Sequence, residues 1–189
     1  MADAPPRTEL SRADVAGADV IGPGFRLRRE TGVGIVKVQL YRSEGQEALT
    51  NGIGSGLPAP GRQIRLAHET AFASIGPAEW LLVGPAAPAL ALAARIEGEL
   101  EGVLALVTDL SDGRGSFILS GPAARERLAA SCPLDLRDSS FPFDAATRSL
   151  LGEAGLFLAR LPDAEGHTVY RLVVDQTAAP YAARMIGLP

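Results

Sequence analysis

The sequence is poor in the side chains that carry most enzymatic chemistry. Its 189 residues include one cysteine, two histidines and one tryptophan, and aromatic residues make up 5%. The single cysteine, Cys132, excludes an internal disulfide framework. His68-Glu69 resembles the start of a zinc-protease helix, but no second histidine follows four residues later, and His167 is distant in the chain. We predict no metal site and a surface position for His68, leaving a mixed carboxylate site as the alternative.

Basic charge and long apolar runs are also scarce. A formal net charge of −4 argues against a nucleic-acid partner, because neutralising phosphates requires a basic surface. The local basic cluster Arg26, Arg28 and Arg29 is interpreted as a solvated strand edge or loop. The start "MADAPPRTEL" lacks the apolar core of a secretory signal. The apolar stretch 80–94 is interrupted by glycine and proline and is shorter than the roughly 20 residues that span a bilayer. We expect a cytoplasmic protein.

Nucleophiles and phosphate-binding loops are not apparent either. Cys132 ends an apolar stripe next to Pro133, which favours a small buried hydrophobic residue over a reactive thiolate. No serine lies in a Gly-x-Ser-x-Gly turn, and Ser55 lies in a loop followed by prolines. The glycine-rich segments 51–61 and 31–37 do not lead into helices, as a dinucleotide-binding loop must. We therefore predict no cofactor cradle in either segment.

Hydrophobic periodicity predicts the elements of the first half. In "GVGIVKVQLY" Val36, Val38 and Leu40 alternate with polar residues, which is typical of a half-buried strand. Pro88 is suited to the first turn of a helix whose apolar face includes Leu92, Ile96 and Leu100. The predicted elements are an N-terminal arm over 1–24, a loop over 49–63, strands near 71–75 and 80–83, and a helix over roughly 87–100.

The second half begins with an almost wholly apolar run, "GVLALVTDL", which predicts a central strand. Asp112-Gly113 predicts a hairpin turn to the next strand, "SFILS". Gly121 and Pro122 then precede a helix with a buried stripe formed by Ala124, Leu128 and Cys132. The remaining predictions are strands over 146–151, 155–161 and 168–174 and a closing helix over roughly 178–186.

Two segments of the chain resemble each other. "WLLVGPAA" (80–87) and "FILSGPAA" (117–124) each lead from a strand into a helix rich in alanine and leucine. We predict an α+β fold of two repeated strand–helix units, each like the split βαβ arrangement of ferredoxin-like folds. The expected organisation is a single α+β domain over 25–189 with halves at approximately 25–110 and 111–189.

Carboxylates and the lone tryptophan are the remaining candidates for a site. Asp109, Asp112 and Asp135 lie within or next to the segment 111–136, and paired carboxylates serve acid–base catalysis when their environments separate their pKa values. Asp112 is already explained by its turn, so we favour structural roles for all three. Trp80 could anchor an interface, because tryptophan is enriched in binding hot spots. We prefer the interpretation that it is a core aromatic residue at the start of the strand "WLLV".

The segment "TDLSDGRGSFILSGPAARERLAASCPLDL" resembles the central signature of the gamma subunit of heterotetrameric sarcosine oxidase. "GPAEWLLVGP", which contains Trp80, and "FPFDAATRSLL" extend the resemblance over roughly 70–175. The segment "VVDQTAAPY" lacks the Arg-Ser pair expected before the last helix, which leaves open a paralogue serving another oxidase complex. The central positions that carry the family motif are Thr108, Asp109, Ser111, Gly121, Pro122 and Arg125.

The resemblance implies a fold related to the folate-binding domain of the glycine-cleavage aminomethyltransferase. It also implies a complex that oxidatively demethylates sarcosine and passes the one-carbon unit to tetrahydrofolate. FAD, FMN, NAD and tetrahydrofolate would be held by the other subunits, which are the larger alpha and beta chains and a small delta chain. The gamma chain would bind none of these cofactors and would serve as a non-catalytic structural subunit.

Two alternatives remain open. The first is a stand-alone folate-binding protein with a pocket that includes Glu79, Arg114 or Asp109. The second is a homodimeric interaction module without a small-molecule partner. The subunit interpretation differs from both in expecting an apolar face that the isolated chain leaves uncovered, larger than is usual on a monomer.

Overall fold

The computed structural model describes residues 19–187, which form two antiparallel sheets and four helices. Three single 3-10 turns, Ser43–Gly45, Ser111–Gly113 and Gln176–Ala178, complete the regular structure. The strands and helices in chain order are β1 (Val20–Gly22), β2 (Phe25–Glu30), β3 (Val33–Leu40), α1 (Gln46–Ile53), β4 (Gln63–Arg65), β5 (Ala71–Gly76), β6 (Glu79–Pro85), α2 (Ala86–Glu99), β7 (Ala105–Asp109), β8 (Arg114–Ser120), α3 (Ala124–Ala129), β9 (Ala146–Leu151), β10 (Ala154–Ala164), β11 (His167–Asp175) and α4 (Ala179–Gly187).

The two sheets repeat one strand order. The first sheet runs β7-β3-β6-β5-β4, and the second runs β1-β2-β8-β11-β10-β9. In the first, β3, α1, β5, β6, α2 and β7 form a complete βαββαβ unit, with β4 added beside β5. In the second, β8, α3, β10, β11 and α4 follow the same path, and β9 is added beside β10. The α+β prediction with two split βαβ units is confirmed.

The two units differ in the origin of their fourth strand. In the first it is β7, which follows α2 directly, whereas in the second it is β2 from the beginning of the described chain. The expected halves, 25–110 and 111–189, therefore differ from the structure in one element, because β2 pairs with β8. Of the predicted arm, residues 1–18 lie outside the described residues, and its last part forms β1.

The sheets pack face to face, with helices on their outer sides. Ile35 and Leu81 of the first sheet meet Phe157 and Val173 of the second in one buried cluster. The alternate residues of the same strands, such as Val38, face outward. Helices α1 and α2 cover the outer face of the first sheet, while α3 and α4 cover that of the second. Period-two alternation in the strands therefore separates the inter-sheet core from the two outer cores.

The predicted loop over 49–63 is wrong for its first five residues, which belong to α1. Asn51 and Gly52 suggest a turn, but Gly52 lies where α1 crosses α2. A Cβ atom built on Gly52 would lie 3.0 Å from the Cα atom of Ile96. This glycine thus permits close helix packing, and the helix ends two residues later at Gly54, whose φ is +70°.

Two predictions at the start of the second half are also wrong. The run "GVLALVTDL" forms β7 at the edge of the first sheet instead of a central strand. Asp112-Gly113 does not close a hairpin, because β7 and β8 lie in different sheets and the 3-10 turn Ser111–Gly113 carries the chain between them. A turn-forming dipeptide specifies a local reversal, but not whether the flanking strands pair.

Most of the other elements match the predictions. The helix at 87–100 corresponds to α2, the strand at 146–151 to β9, and the closing helix to α4. Trp80 is a core residue whose ring stacks on that of Phe72 with 6.2 Å between centroids. The similar segments 80–87 and 117–124 both lead from strand to helix, but β6 is the third strand of its unit and β8 is the first of its own.

Candidate functional site

A cleft of about 320 Å³ opens between the two sheets. Its inner wall is apolar and includes Ile35, Leu81 and Phe157. Three cations, Lys37, Arg114 and Arg148, also line it. The cleft has the mixture of apolar wall and convergent polar groups that is typical of ligand pockets, although each of its cations has a carboxylate partner.

Glu79 is the carboxylate that joins the two sheets beside this cleft. The Lys37 Nζ donates to Oε1 of Glu79 at 3.1 Å, and Nη2 of Arg148 donates to Oε2 at 2.6 Å. Burial by itself would raise the pKa of Glu79, but the two cations outweigh it and hold the pKa below its ordinary value. Because Lys37 lies on β3 and Arg148 on β9, Glu79 on β6 links the sheets through charge-assisted hydrogen bonds.

Arg114 is paired on the opposite side of the cleft, where its Nη1 lies 3.4 Å from Oδ2 of Asp175. Arg114 also lines an adjoining depression together with Asp109 and Asp112. Of the three residues considered for a folate pocket, Arg114 thus lies between two concave surfaces. Glu79 is bonded to two cleft residues, and Asp109 lies in the adjoining depression.

The family-motif residues at the end of β7 hold the backbone in place. Oδ1 of Asp109 accepts from the Ser111 amide at 2.9 Å and from its hydroxyl at 2.5 Å. The Ser111 Oγ in turn accepts from the Ile35 amide of β3 at 3.0 Å. Thr108 lies one residue earlier, opposite Lys37 in the β3–β7 register. These contacts fix the point where the chain leaves the first sheet for the second.

Gly121 and Pro122 form the corresponding junction between β8 and α3. Gly121 has a φ of +109°, and a Cβ atom there would lie 2.6 Å from the carbonyl oxygen of Gly24. The same Gly24 oxygen accepts from the Ala123 amide at 2.8 Å. Only glycine fits this close approach, so the motif joins the start of α3 to the turn between β1 and β2.

Arg125 belongs to an ionic network that the sequence does not indicate. Its Nη2 donates to Asp138 at 2.5 Å and to Thr168 Oγ1 at 3.3 Å. Asp138 also accepts from the buried Arg160, whose Nη1 donates to the Phe141 carbonyl at 3.1 Å. The hydrogen bond from Arg160 is the main reason that the pKa of Asp138 lies below its usual value. Arg160 gives no sequence signal, because it is one polar residue within the apolar strand "GLFLARL".

The other candidates do not converge on a common site. His68 is exposed, as predicted, and has a positive φ of 56°, while His167 is half-buried at the start of β11. Cys132 is buried, and its sulfur lies 3.6 Å from Ser149 Oγ. Asp135 accepts from Arg137 and Ser140 in its own turn, which lowers its pKa.

Residues 19–187 contain no candidate metal cluster and no candidate membrane-spanning helix. No three acidic, histidine or cysteine side chains in that range come together in a way that suits a metal ion. None of the helices in the range is long and apolar enough to cross a bilayer.

An uncovered apolar surface lies at the edge of the first sheet. Leu104 and Leu106 are 59% and 45% exposed, and Tyr41 on the neighbouring strand end is 55% exposed. Tyr41 donates its amide to the Leu104 carbonyl at 3.1 Å, so the two residues are direct cross-strand neighbours. We call Tyr41, Leu104, Leu106 and strand β7 the open edge. The sequence signal for the open edge is the apolar run "GVLALVTDL" itself, whose composition predicts an interior strand.

Comparison with known proteins identifies the relatives of this chain. Residues 46–185 match the family described as sarcosine oxidase, gamma subunit family. The chain is 32% identical over 164 residues to a sarcosine oxidase subunit gamma from Arthrobacter sp., covering 86% of this chain and 77% of that protein.

Two solved structures show the same fold. A chain of the heterotetrameric sarcosine oxidase from Corynebacterium sp. U-96, solved in complex with pyrrole 2-carboxylate, superposes with a TM-score of 0.78 at 28% identity. The match covers 89% of this chain and 85% of that one. The glycine cleavage system aminomethyltransferase T from Bartonella henselae gives 0.64 at 19% identity, covering 85% of this chain and 44% of that one. The second likeness shows the fold alone.

Proposed function

This chain belongs to the sarcosine oxidase gamma subunit family, and we propose that it is a non-catalytic assembly subunit of a sarcosine-oxidase-like complex. The complex oxidatively demethylates sarcosine, with tetrahydrofolate as the one-carbon acceptor. Its larger alpha and beta subunits and a small delta subunit are the partners of this chain. Those subunits hold FAD, FMN, NAD and tetrahydrofolate, and the complex is cytoplasmic. The match to the family over 46–185 is the observation on which the proposal rests.

The use of the family-motif residues supports a structural role. Asp109 and Ser111 bind each other and the β3 backbone, and Gly121 permits a close backbone approach. Arg125 is engaged by Asp138 and Thr168. The side chains of Asp109, Ser111 and Arg125 therefore hold connections between elements. A subunit that presents a shaped surface requires its connections to be rigid, since loose connections would add an ordering cost to assembly.

The test is co-expression of the tagged chain with the flavin-binding subunits encoded in the same genome. We expect the larger subunits to co-purify in fixed proportion, the complex to be yellow, and sarcosine to be demethylated by the complex only. The isolated chain should be colourless and inactive. Flavin bound to the isolated chain, or demethylation of an N-methyl amine by that chain unaided, contradicts the proposal.

The inter-sheet cleft favours one alternative, a stand-alone folate-binding protein. Its apolar wall and its cations, Lys37, Arg114 and Arg148, offer stacking surface and charge to a ligand with a flat ring and carboxylates. Calorimetric titration of the isolated chain with tetrahydrofolate decides the matter. Saturable heat that Arg114→Ala removes favours the folate-binding protein, whereas no heat at high ligand concentration eliminates it.

A further inference from the structure

The open edge exposes a row of backbone groups. In the antiparallel pairing of β3 with β7, Tyr41 donates to Leu104 and Leu110 donates to Ile35, at 3.1 and 2.8 Å. Hydrogen-bonded pairs alternate along such a ladder, so the amides and carbonyls of the intervening residues point away from β3. These residues are Ala105, Val107 and Asp109, and β7 is the last strand of its sheet. They offer donors and acceptors that another extended backbone can satisfy.

The second sheet shows what covers the equivalent position. Its fourth strand, β2, has the same place as β7, and its outer edge is paired with β1. That pairing consists of three residue pairs, Val20 with Leu27, Ile21 with Arg26 and Gly22 with Phe25. An added strand is therefore part of this fold in one half and is missing in the other. The similarity of the two halves indicates that a strand, and not a helix or a small molecule, pairs with the outer edge of β7.

The side chains of the open edge define the apolar character of the added strand. The register places Gln39 opposite Leu106, and Tyr41 lies opposite Leu104, so all four side chains project from one face of the sheet. This is the inter-sheet face, since Ile35 on the same strand lies in the inter-sheet core. A strand added beside β7 buries the leucines if it has apolar residues at alternate positions.

Charge distinguishes a foreign strand from a second copy of this chain. The segment 96–113 contains five acidic residues and no basic residue, and none of the five forms a salt bridge with another described residue. Pairing of two β7 strands would bring two copies of this acidic segment together, which is electrostatically unfavourable. In the other half, the fourth strand β2 is basic and its added strand brings the opposite charge. Arg26 on β2 forms an ion pair with Asp19, the residue that precedes β1.

We propose that an extended segment of a larger oxidase subunit, apolar at alternate positions and basic at its ends, adds to β7 as a further strand. This inference rests on the proposed function. The segment hydrogen-bonds to Ala105, Val107 and Asp109 and covers Leu104 and Leu106. Backbone pairing provides the affinity, the leucines fix the register, and the acidic flanks steer the basic segment and exclude self-pairing.

The proposal is tested with the co-expressed complex and two variants of the edge. Ala105→Pro removes an amide that points outward and is not used by β3, a place where strands tolerate proline. Leu106→Glu adds charge to the covered face. We expect each variant to lower recovery of the larger subunits by about tenfold or more, which corresponds to about 1.4 kcal/mol. Leu150→Glu is the matched control, because Leu150 is 48% exposed on β9, the edge strand of the other sheet, and should retain recovery within about twofold.

Charge reversal and hydrogen exchange complete the test. Glu101→Lys should weaken recovery at low salt more than at high salt, because screening removes steering between exposed charges. In the unmodified complex, the amides of Ala105, Val107 and Asp109 should exchange more slowly than in the isolated chain, which provides a measurement independent of any variant.

The possible outcomes separate this inference from the proposed function. If the unmodified chain recovers the larger subunits and both edge variants do so equally well, strand addition is wrong and the assembly role stands. If the unmodified chain recovers nothing, both fail. If the isolated chain forms a dimer that Leu106→Glu abolishes, a second copy occupies the edge, and the choice of a foreign strand is wrong.

Discussion

The two halves of the molecule have the same strand order, but only the second half has a strand paired with the outer edge of its fourth strand. The first unit is continuous from β3 to β7, but its outer edge is open. The second unit takes its fourth strand, β2, from before the first unit in the chain, and the outer edge of β2 is paired with β1. A fold repeated within one chain thus provides its own reference. Where one copy has a strand and the other has only exposed leucines, the difference indicates where an additional element belongs.

The halves also differ in how the fourth strand is held. In the first, Asp109 binds Ser111 locally, and the Ser111 hydroxyl accepts a hydrogen bond from the Ile35 amide of β3. In the second, Glu30 at the end of β2 accepts two hydrogen bonds from Arg171 on β11, at 2.9 and 3.0 Å, across the intervening strand β8. The tie at β2 is bidentate and charge-assisted, whereas the Ser111–Ile35 hydrogen bond that reaches β3 joins two neutral groups, so the contact at β2 is the stronger one.

The largest expected effect comes from matched core leucines in the two third strands. Leu82 on β6 and Leu172 on β11 are 0% and 1% exposed, and each faces the helices of its own half. Leu82→Ala and Leu172→Ala should each lower the free energy of unfolding by about 2–5 kcal/mol, through lost burial and a residual cavity. Chemical denaturation followed by fluorescence of Trp80 and by circular dichroism measures this.

The same pair tests whether the halves form one domain. Because the inter-sheet core joins them, both variants should shift a single transition, and the two probes should coincide. Trp80 lies in the first half and reports mainly on it. If Leu172→Ala left the fluorescence transition in place while shifting the circular dichroism, the halves would be independent domains.

The next largest effect is expected at Glu30, which lies at the end of β2. Glu30→Ala leaves Arg171, which is mostly buried, without its carboxylate, and Ser116 Oγ without its acceptor at 2.7 Å. We expect a loss of about 2–3 kcal/mol, in the range for charged hydrogen bonds with a buried partner.

A double-mutant cycle with Arg171→Met isolates the contribution of the Glu30–Arg171 pair. The double variant should be more stable than the sum of the two single effects predicts, because no unpaired charge remains. Strict additivity would mean that the ion pair does not fasten β2.

The sequence predicted the elements whose signals are local. Alternation in β3 and the proline-marked start of α2 depend on side chains within the element itself. The same alternation predicts two core faces for each central strand. The α+β class and the strand–helix repeat follow from these patterns, since amphipathic elements must bury their apolar faces against other layers.

The sequence failed where partners lie outside the local window. Gly52 suggested a turn because its reason, the approach of α2, is visible only in the fold. The run "GVLALVTDL" suggested an interior strand because composition cannot distinguish burial by the chain itself from burial by another chain. Arg160 gave no signal because its partners, Asp138 and the Phe141 carbonyl, come from a separate loop. The resemblance pointed to Asp109, Ser111 and Gly121, but the sequence did not indicate the backbone contacts that these residues make.

A smaller, pH-dependent effect is expected at the junction of the two halves. Glu79→Gln weakens both ion pairs of Glu79, with Lys37 in the first sheet and with Arg148 in the second. The variant should lower the free energy of unfolding by about 1–2 kcal/mol at neutral pH. The pKa of Glu79 is lowered in the folded state, so its stabilisation is complete above the ordinary value of 4.5 and disappears as the pH falls through the folded value. The stability difference between the unmodified chain and the variant should therefore shrink with acidification, as measured by urea denaturation from pH 7 to pH 3. A constant difference over this range would show that Glu79 does not act through its charge.

The smallest effect is expected at the covered edge itself. Arg26 on β2 forms an ion pair with Asp19, which precedes β1, but the Arg26 side chain is 57% exposed. Asp19→Ala should therefore change the free energy of unfolding by less than about 1 kcal/mol, and less again at high salt. The backbone pairing of β1 with β2 remains, so hydrogen exchange along β2 should stay slow. Rapid exchange on β2 in this variant would mean that the ion pair, and not the added strand, protects the edge. The comparison with open β7 would then lose its basis, because complementary charge alone could cover a fourth strand.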